Sequence, residues 1–424
     1  MTKVIRTYYP DLRIAMQCSC EDGKLEGLFE SFYPNGQVQF RTNYNDGKED
    51  GLSEVWYQDG QLKVRANYKA GNLDGLYESW YENGNLEFHV NYKYGIIDGI
   101  YKHWHENGKL MECSTCKAGN LDGLSEKWYK NGQLKERVNY KNDIKDGLDE
   151  VWYENGQQMN HNTYKDGKLE GMSEEWYDNG QLRFRVTYKD GDLNGLAEEW
   201  YKSGQMERRF TYKNGKSDGL WEEWYENGQL RERSNWKDGN KDGLMESWYD
   251  NGKMKERLNL KDMRPDGLYE EWAENGQLMS RINYKNGKLD GLYEKWYQNG
   301  QVKMRINYKG GYLDGLSEKW YDNGQFKERA NYRDGVLDGL YEECHDNGQL
   351  ANQRNYHNNK LDGVCERWYD DGQLKFHGNY KDGKQDGVFE WWNEDGIVIA
   401  CSTYEDGKLT SSYEWKQDIP HLNG

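Results

Sequence analysis

Glycine recurs along this chain with a period of 24 residues, and this period constrains the fold more than any other feature of the sequence. Stepping by 24 from Gly27 to Gly387 meets glycine at all sixteen positions, and the same step from Gly36 to Gly396 meets sixteen more. A third series, starting at Gly23, holds glycine at fourteen of seventeen positions. The chain is therefore predicted to be a tandem array of one repeated unit.

Each repeat is predicted to form a β-hairpin. In the unit that starts at Gly291, Leu292–Tyr297 is a short aromatic-rich run, Asn299 and Gly300 follow, and Gln301–Lys309 is a second run. Asn-Gly between two such runs is typical of a type I′ turn, in which both central residues have positive φ. A two-residue turn at every Asn-Gly pair would fix the register of the whole array.

Counting outward from this turn predicts which residues face each other across the hairpin. In the repeat that starts at Gly51, Trp56 is placed opposite Lys63 and Glu54 opposite Arg65. The Glu column is filled in fifteen of sixteen repeats and the Arg column in ten, so we expect cross-strand ion pairs beside a tryptophan that the guanidinium covers. The residues assigned to these structural columns are Trp56, Trp80, Trp128, Trp176, Trp224, Trp296, Glu54, Arg65, Glu126 and Arg137.

Side-chain alternation divides each hairpin into two faces. On the uniform face, which carries the Glu, Arg and Trp columns, the residues hardly change along the chain. On the varied face, several columns differ from one repeat to the next, and such columns are where recognition could be encoded. The candidate binding residues are therefore on the varied face: Tyr77, Trp221, Met245, Tyr269, Tyr293 and Tyr341.

A single hairpin is marginally stable in water, so neighbouring hairpins are expected to stack. The predicted fold is all-β, an elongated and twisted antiparallel meander or solenoid of tandem β-hairpins. Residues 1–26 are expected to form a degenerate capping hairpin, residues 27–410 sixteen repeats, and residues 411–424 a C-terminal cap and tail. Such caps would protect open edge strands from pairing with other chains.

Units such as GLYESWYENGNLEFHVNYKYGIID resemble the MORN-repeat variant family, whose tandem hairpins are marked by a glycine, an aromatic pair, an Asn-Gly turn and a terminal Asn-Tyr-Lys-x-Gly. The resemblance covers about residues 1–415. It implies a non-catalytic module that makes protein contacts and, in some proteins, attaches to membranes. It also implies a link to bacterial antitoxins of toxin–antitoxin pairs and to repeat proteins of large DNA viruses of protists.

Composition restricts the possible partners. The net charge of −17 disfavours nucleic acid and anionic membranes, because both attract patches of Lys and Arg. No apolar stretch approaches 18 residues, and the first residues lack the apolar core of an export signal. The seven scattered cysteines do not form a disulfide framework. We therefore expect a reducing location, the cytoplasm of a host cell or a virion if the source is viral.

The residues that bear reactive groups favour structure over chemistry. His103 and His105 share a strand face with Glu112 and Cys116, but the register places Cys116 far along the strand, and the histidines replace Tyr or Arg of the repeat. Cys113 and Cys116 have redox-motif spacing but lie within a strand on opposite faces. No phosphate-binding loop or nucleophile–base arrangement is visible. We expect no enzyme activity, no cofactor and no metal.

Three functions remain open at this point. The first is a non-catalytic repeat scaffold that presents an extended acidic and aromatic surface to protein partners. The second is an antitoxin-like protein that neutralises one toxin, which only the family resemblance suggests. The third is a glycan- or choline-binding aromatic array, which the aromatic Trp-Tyr-x-Asn-Gly units suggest. The sequence leaves open the identity of the partner, the binding face and the oligomeric state.

Overall fold

The computed structural model describes residues 2–414, so the predicted tail beyond residue 414 lies outside the described residues. Every regular element in this range is a β-strand, and the strands are numbered β1 to β38 in chain order. Between residues 2 and 414 there is no helix long and apolar enough to cross a lipid bilayer. The described residues form two compact units, residues 2–216 and residues 217–414.

The first unit consists of antiparallel hairpins with strands of six to nine residues, apart from two short strands of two residues each. Its strands are β1 Lys3–Tyr8, β2 Ile14–Glu21, β3 Lys24–Phe32, β4 Val38–Asn45, β5 Lys48–Glu49, β6 Gly51–Trp56, β7 Leu62–Lys69, β8 Asn72–Trp80, β9 Leu86–Lys93, β10 Ile96–Trp104, β11 Leu110–Lys117, β12 Asn120–Trp128, β13 Leu134–Lys141, β14 Ile144–Trp152, β15 Gln158–Lys165, β16 Lys168–Leu169, β17 Gly171–Trp176, β18 Leu182–Lys189, β19 Asp192–Trp200 and β20 Met206–Lys213.

The second unit repeats the same strand lengths, and its first strand begins one residue before the boundary. Its strands are β21 Lys216–Trp224, β22 Leu230–Lys237, β23 Asn240–Trp248, β24 Met254–Lys261, β25 Arg264–Trp272, β26 Leu278–Lys285, β27 Lys288–Trp296, β28 Val302–Lys309, β29 Tyr312–Trp320, β30 Phe326–Arg333, β31 Val336–Cys344, β32 Leu350–His357, β33 Lys360–Trp368, β34 Leu374–Lys381, β35 Lys384–Gln385, β36 Gly387–Trp392, β37 Val398–Glu405 and β38 Lys408–Glu414.

Within each unit, the strands pair antiparallel in chain order. In the first unit β1 pairs with β2, β2 with β3 and β3 with β4, and the second unit continues in the same way from β21 to β24. Each repeat of 24 residues contributes two strands. The predicted all-β antiparallel meander of tandem hairpins is confirmed.

The Asn-Gly turn does not have the predicted type I′ geometry. The Tyr33 N–H donates to the Gln37 carbonyl, and the Gly36 N–H donates to the Tyr33 carbonyl, each with an N···O distance of 2.8 Å. The loop therefore contains three residues, and only its glycine has a positive φ, of 88° at Gly36. The prediction of a two-residue turn at the Asn-Gly pair was therefore wrong. A three-residue loop with left-handed glycine is the next most common hairpin connection.

The type I′ turn lies instead in the second loop of each repeat. Asp46 and Gly47 have φ values of 51° and 79°, and they are flanked by the cross-strand pair Asn45 and Lys48. Asp and Asn are common before this glycine because they tolerate left-handed backbone better than other residues that carry a side chain. The loop expected to be a long link between hairpins is therefore the tighter turn.

Asparagine is favoured at the Asn-Gly column because both ends of its amide are used. The Asn35 Oδ1 accepts a hydrogen bond from the Gln37 N–H at 3.1 Å, and its Nδ2 donates to the Gln58 carbonyl of the next repeat at 2.8 Å. Asp59 makes the first of these contacts but has no amide donor for the second. The Asn side chain thus connects neighbouring repeats.

The strand register next to the Asn-Gly loop also differs from the prediction. The loop is one residue longer than predicted, and a β-bulge on the returning strand compensates for it. Trp56 pairs with Leu62, and Lys63 is the bulged residue that was expected opposite the tryptophan. Glu54 consequently pairs with Arg65, as predicted.

A second irregularity explains why glycine is invariant in the series from Gly27 to Gly387, where one hairpin joins the next. Between Ala66 and Tyr68 the register shifts by two residues, because Gly75 and its two neighbours bulge out opposite Asn67. Gly75 has a φ of 115°, and a Cβ atom there would lie 3.2 Å from the Asn67 Cβ. Both the positive φ and the close approach favour glycine at this column.

Successive repeats are joined by a side-chain hydrogen bond at the end of the first strand. The Tyr57 hydroxyl donates to the Trp80 carbonyl at 2.8 Å, and Tyr81 makes the same bond to the Trp104 carbonyl. Each bond spans 23 residues and therefore links one repeat to the next. A neutral hydrogen bond of this kind contributes about 1 kcal/mol.

One repeat offers a test of this link, because Ala273 stands where the other repeats carry Tyr, His or Asn. We expect Ala273→Tyr to stabilise the second unit by about 1 kcal/mol, since the new hydroxyl would reach the Trp296 carbonyl. Tyr249→Phe, which removes the existing bond to the Trp272 carbonyl (2.9 Å), should destabilise by a similar amount. Denaturant midpoints measure both changes, and equal midpoints for all three proteins would contradict the assigned bond.

The N-terminal segment forms the same kind of hairpin as the repeats. Strands β1 and β2 pair antiparallel, and Leu12 takes the glycine position of the turn with a φ of 67°. All residues of β1 are exposed, as are those of β38 at the other end of the described residues. Their capping role stays a prediction.

The best-buried residues lie on the varied face and not on the uniform face. Ala66, Val90 and Val186 expose at most 2% of their surface, and each pairs with residues of the adjacent strands on the same face. Small residues face large ones here: Ala66 is opposite Tyr77, and Gly378 lies against Phe389. The variation between repeats on this face therefore accompanies cross-strand size matching.

Candidate functional site

The uniform face carries a row of alternating charges, called the Glu–Arg row below. In the second unit, the cross-strand partners alternate between Glu and Arg without interruption from Glu222 to Glu342. Glu246 accepts hydrogen bonds from Arg233 on one side (2.7 Å) and Arg257 on the other (3.2 Å). Glu270 and Glu294 likewise each lie within 3.9 Å of two guanidinium groups.

The two partners of the Glu–Arg row differ in burial. The Glu246 side chain is only 6% exposed, whereas the Arg233 and Arg257 side chains are 45% and 44% exposed. The carboxylates therefore lie beneath the guanidinium groups, and the surface of the row is cationic in an otherwise acidic chain. This geometry makes each pair worth more than a fully exposed ion pair, because the carboxylate is largely shielded from water.

Arginines of this row also cover tryptophans of the following strand. The Arg41 Cζ atom lies 5.4 Å from the ring centre of Trp56, and the Arg137 Cζ atom lies 5.7 Å from that of Trp152. Such stacking is a cation–π interaction that also shields the indole from water. The tryptophans assigned to structural columns are all partly buried: Trp56, Trp80, Trp128, Trp176, Trp224 and Trp296.

The assigned ion pairs lie where the sequence placed them. The Arg65 Nη2 is 3.2 Å from the Glu54 Oε1, and the Arg137 Nε is 2.8 Å from the Glu126 Oε1. Arg137 also approaches the next carboxylate, with its Nη1 3.6 Å from the Glu150 Oε2. Sequence reasoning gave each Arg one partner within its own hairpin and missed this second one.

The six candidate binding residues are all partly buried, and five of them pack against an aromatic ring on the adjacent strand. Burial raises the pKa of Tyr341 to about 12 and also raises that of Tyr269, so both phenols are neutral. Their binding role stays a prediction. The contacts are Tyr77 to Tyr92 (6.1 Å between ring centres), Trp221 to Trp236 (5.6 Å), Tyr269 to Tyr284 (6.5 Å), Tyr293 to Tyr308 (6.2 Å), Tyr341 to Tyr356 (6.3 Å) and Met245 Sδ to Lys241 Nζ (3.8 Å).

A pair of like charges lies on the varied face of the second unit. Glu256 is directly opposite Glu271. Burial, followed by the charge of Glu271, raises the pKa of Glu256, and Glu232 acts in the same direction. Lys255 and Lys241 oppose the shift. Like charges directly opposite each other destabilise a sheet.

This pair predicts a pH-dependent stability. A carboxyl whose pKa is higher in the folded state contributes stability below its ordinary pKa of 4.5, and that contribution is lost as the pH rises through the folded-state value. Glu256→Gln should therefore raise the free energy of unfolding at pH 7 by about 0.5 kcal/mol and reduce its change between pH 7 and pH 5.

The matched control for this prediction is Glu136→Gln. Glu136 occupies the same column, but its Oε2 lies 2.8 Å from the Nζ of Lys127 directly opposite. Denaturant unfolding at pH 5 and pH 7 compares the two variants. A loss of stability at pH 7 in the Glu256 variant would contradict the repulsion.

The residues considered for metal or redox chemistry do not form a cluster. His103 pairs with Glu112, whereas Cys116 pairs with Gly99. Burial lowers the pKa of His103 and raises that of Cys113. Within residues 2–414 no group of three or more His, Cys, Asp or Glu side chains is arranged to hold a metal ion.

A row of exposed aliphatic side chains, which sequence reasoning did not single out, runs beside the Glu–Arg row. It contains the residue that follows each glycine of the series from Gly27. In the first unit, Leu148, Met172 and Leu196 are 39%, 50% and 45% exposed. The row is called the aliphatic row below, and its signal in the sequence was an invariably aliphatic column on the face that also carries the Glu, Arg and Trp columns.

These features define a class of protein: a tandem β-hairpin repeat protein with two strands per unit. The family model described as MORN repeat variant matches fourteen segments over most of the chain. The chain therefore belongs to the MORN repeat variant family. Residues 143–168 are not matched, yet β14 and β15 pair there as in the other repeats. The matched segments are residues 25–46, 49–70, 73–94, 97–116, 121–142, 169–190, 193–214, 217–238, 241–262, 265–286, 289–309, 313–334, 337–358 and 361–382.

Other comparisons add no functional information. No curated protein matches the chain. A crystal structure of TcdB2-TccC3-Cdc42 is 10% identical with a TM-score of 0.15, covering 94% of this chain and 28% of that chain. The Photorhabdus luminescens Tc holotoxin pore is 12% identical with a TM-score of 0.16, covering 95% and 23%. The chain spans less than a third of either protein, and likenesses at these TM-scores carry no argument.

Proposed function

We propose that this protein is a non-catalytic repeat scaffold that binds protein partners along its uniform face. The observation that carries the proposal is the aliphatic row, in which most repeats present one exposed apolar side chain. Thr163 and Thr187 lie directly opposite Leu148 and Met172, so the row alternates apolar and polar groups. Protein interfaces commonly combine apolar and polar groups in this way. Membership of the MORN repeat variant family supports a scaffold in general terms.

The Glu–Arg row adds charge to this surface. Its arginines are about half exposed and lie above buried carboxylates, so a partner would meet guanidinium groups beside aliphatic side chains. Arginine is enriched at protein interfaces because its flat guanidinium can stack and donate several hydrogen bonds. In this proposal the protein acts in the cytoplasm, and its net charge of −17 disfavours nucleic acid and anionic membranes as partners.

The experiment compares capture of proteins from the native lysate by the wild-type chain and by a triple variant. Leu148→Asp, Met172→Asp and Leu196→Asp together place three charges on the aliphatic row of the first unit. The control variant places the same charges at the exposed turn residues Gln133, Gln157 and Gln181. Cross-linking followed by mass spectrometry identifies the captured proteins and their contact sites.

We expect a reproducible partner that cross-links near the aliphatic row, is lost in the triple variant and is retained by the control. Failure to capture any protein, or equal capture by the triple variant, would overturn the proposal. The antitoxin-like and the glycan- or choline-binding alternatives stay predictions, since nothing found among the described residues favours either one.

A further inference from the structure

The Glu–Arg row is broken in two consecutive repeats of the first unit. His89 and Cys113 replace arginines, and Lys102, which lies directly between them, replaces a glutamate. In at least five other repeats the arginine of this row covers the tryptophan of the next repeat, as Arg137 covers Trp152. The break therefore leaves consecutive tryptophans, Trp104 and Trp128, without the guanidinium that would cover them.

The break also changes the charge of the surface. Lys102 is half-buried and lies two residues before Trp104, on the same face of the same strand. Its cross-strand neighbours His89 and Cys113 provide no carboxylate, and Lys102 has no hydrogen bond or ion pair with any residue between 2 and 414. A half-buried ammonium without a counter-charge favours an anionic group of a ligand.

The two uncovered tryptophans are two strands apart, which corresponds to about 9.6 Å at the usual strand separation. A polyproline II helix advances about 9.3 Å in one turn of three residues. Prolines at positions i and i+3 of such a helix would therefore meet Trp104 and Trp128 in succession. Proline-rich segments commonly dock on grooves lined by aromatic residues, because they are already extended and lose little entropy.

We propose that Trp104, Trp128 and Lys102 form a binding site for a proline-rich segment in the polyproline II conformation that carries an acidic residue opposite Lys102. The inference rests on the proposed scaffold function and names the class of partner for one place on the array. The second unit has a comparable break at Gln353 and His377, but Glu366 lies between them. That site has the wrong charge for an acidic ligand.

The test uses the full chain and a fluorescein-labelled peptide, Pro-Pro-Leu-Pro-Pro-Glu-Pro-Pro-Leu-Pro-Pro, measured by fluorescence anisotropy. A peptide with Lys in place of Glu, and one with Gly and Ser in place of Pro, are the probe controls. We expect saturable binding of the Glu peptide and at least about tenfold weaker binding of both controls.

Variants of the chain distinguish the effect of the charge at residue 102 on peptide binding from an effect on the stability of the fold. Lys102→Glu should weaken binding of the Glu peptide about tenfold or more and improve binding of the Lys peptide. The triple variant H89R, K102E and C113R restores the regular row, so it should be at least as stable as wild type and yet lose the Glu peptide. Lys117→Glu, the same charge change at the exposed end of the neighbouring strand β11, should bind as wild type does.

The inference is overturned if wild type shows no saturable binding of the Glu peptide, or if the triple variant binds it as tightly as wild type does. Either result leaves the capture experiment on the aliphatic row untouched. If the wild-type chain captured no protein partner but still bound the Glu peptide, the proposed role of the aliphatic row would be wrong and the peptide site would stand.

Discussion

Glu246→Ala is expected to lower the free energy of unfolding of the second unit by about 2 kcal/mol. The carboxylate is 6% exposed and accepts hydrogen bonds from Arg233 and Arg257. Its removal leaves two guanidinium groups side by side with a small cavity between them, so both lost attraction and new repulsion contribute. Hydrogen exchange of β22 to β25 should rise most, because stability in repeat arrays depends on neighbouring units.

The matched control is Glu390→Ala. Glu390 occupies the same column, but its cross-strand neighbours are His377 and Cys401 and not two arginines. We expect a loss below about 1 kcal/mol there, because fewer charged hydrogen bonds are broken. Similar losses at Glu246 and Glu390 would show that the alternating arginines add nothing beyond an ordinary strand position.

Gly378→Val is expected to be the most damaging single change on the varied face, at about 3 kcal/mol. A Cβ atom at Gly378 would lie 2.5 Å from two ring atoms of Phe389, which is fully buried. Phe389 cannot move away freely, because its ring packs against those of Tyr380 and Tyr404 at 5.3 and 5.1 Å between centres. Denaturant unfolding measures the loss.

A second substitution tests whether size matching is the cause. Gly378→Val combined with Phe389→Ala reproduces the Val186 and Ala197 pair, which is buried at the equivalent positions of two adjoining hairpins. The double variant should be more stable than the sum of the two single losses predicts, with a coupling of about 1–2 kcal/mol. Additive losses would mean that the glycine is required for another reason.

The sequence was sufficient to predict the repeat, the antiparallel meander and the pairing of Glu54 with Arg65, because all three follow from strict periodicity and from strand alternation. It was insufficient for the loops. Asn-Gly predicts a type I′ turn on local grounds, but here the Asn35 amide bonds to the Gln58 carbonyl of the next repeat, which is a contact that local reasoning does not include.

An acidic residue precedes every glycine of the series from Gly27 to Gly387 except Gly195, and periodicity alone does not explain this column. The Glu170 carboxylate accepts a hydrogen bond from the Asp190 N–H at 2.8 Å, and the Asp266 carboxylate accepts one from the Asn286 N–H at 2.9 Å. Glu170 and Asp266 therefore each satisfy a backbone donor of the next type I′ turn. A single repeat viewed alone gives no reason for this residue.

The two faces also had different outcomes. Uniform columns were expected to be structural and varied columns to be where recognition is encoded, but Ala66 and Val186 of the varied face are among the most buried residues. Variation here accompanies cross-strand packing, in which one large residue allows a small partner. The uniform face carries the exposed aliphatic side chains, and alternation alone does not predict which side of a single sheet is better shielded from water.

The hydrogen bond from each Tyr hydroxyl to a Trp carbonyl 23 residues later has an evolutionary consequence. Every such bond joins one repeat to the repeat that follows it in the chain. If one whole 24-residue repeat were removed or inserted, the repeats on either side of the change could therefore form the same bond with their new neighbours. Duplication or loss of a repeat within the gene could therefore change the number of exposed aliphatic side chains without altering the contacts between repeats. Recombination alone could in this way adjust the length of the array to a longer or shorter partner.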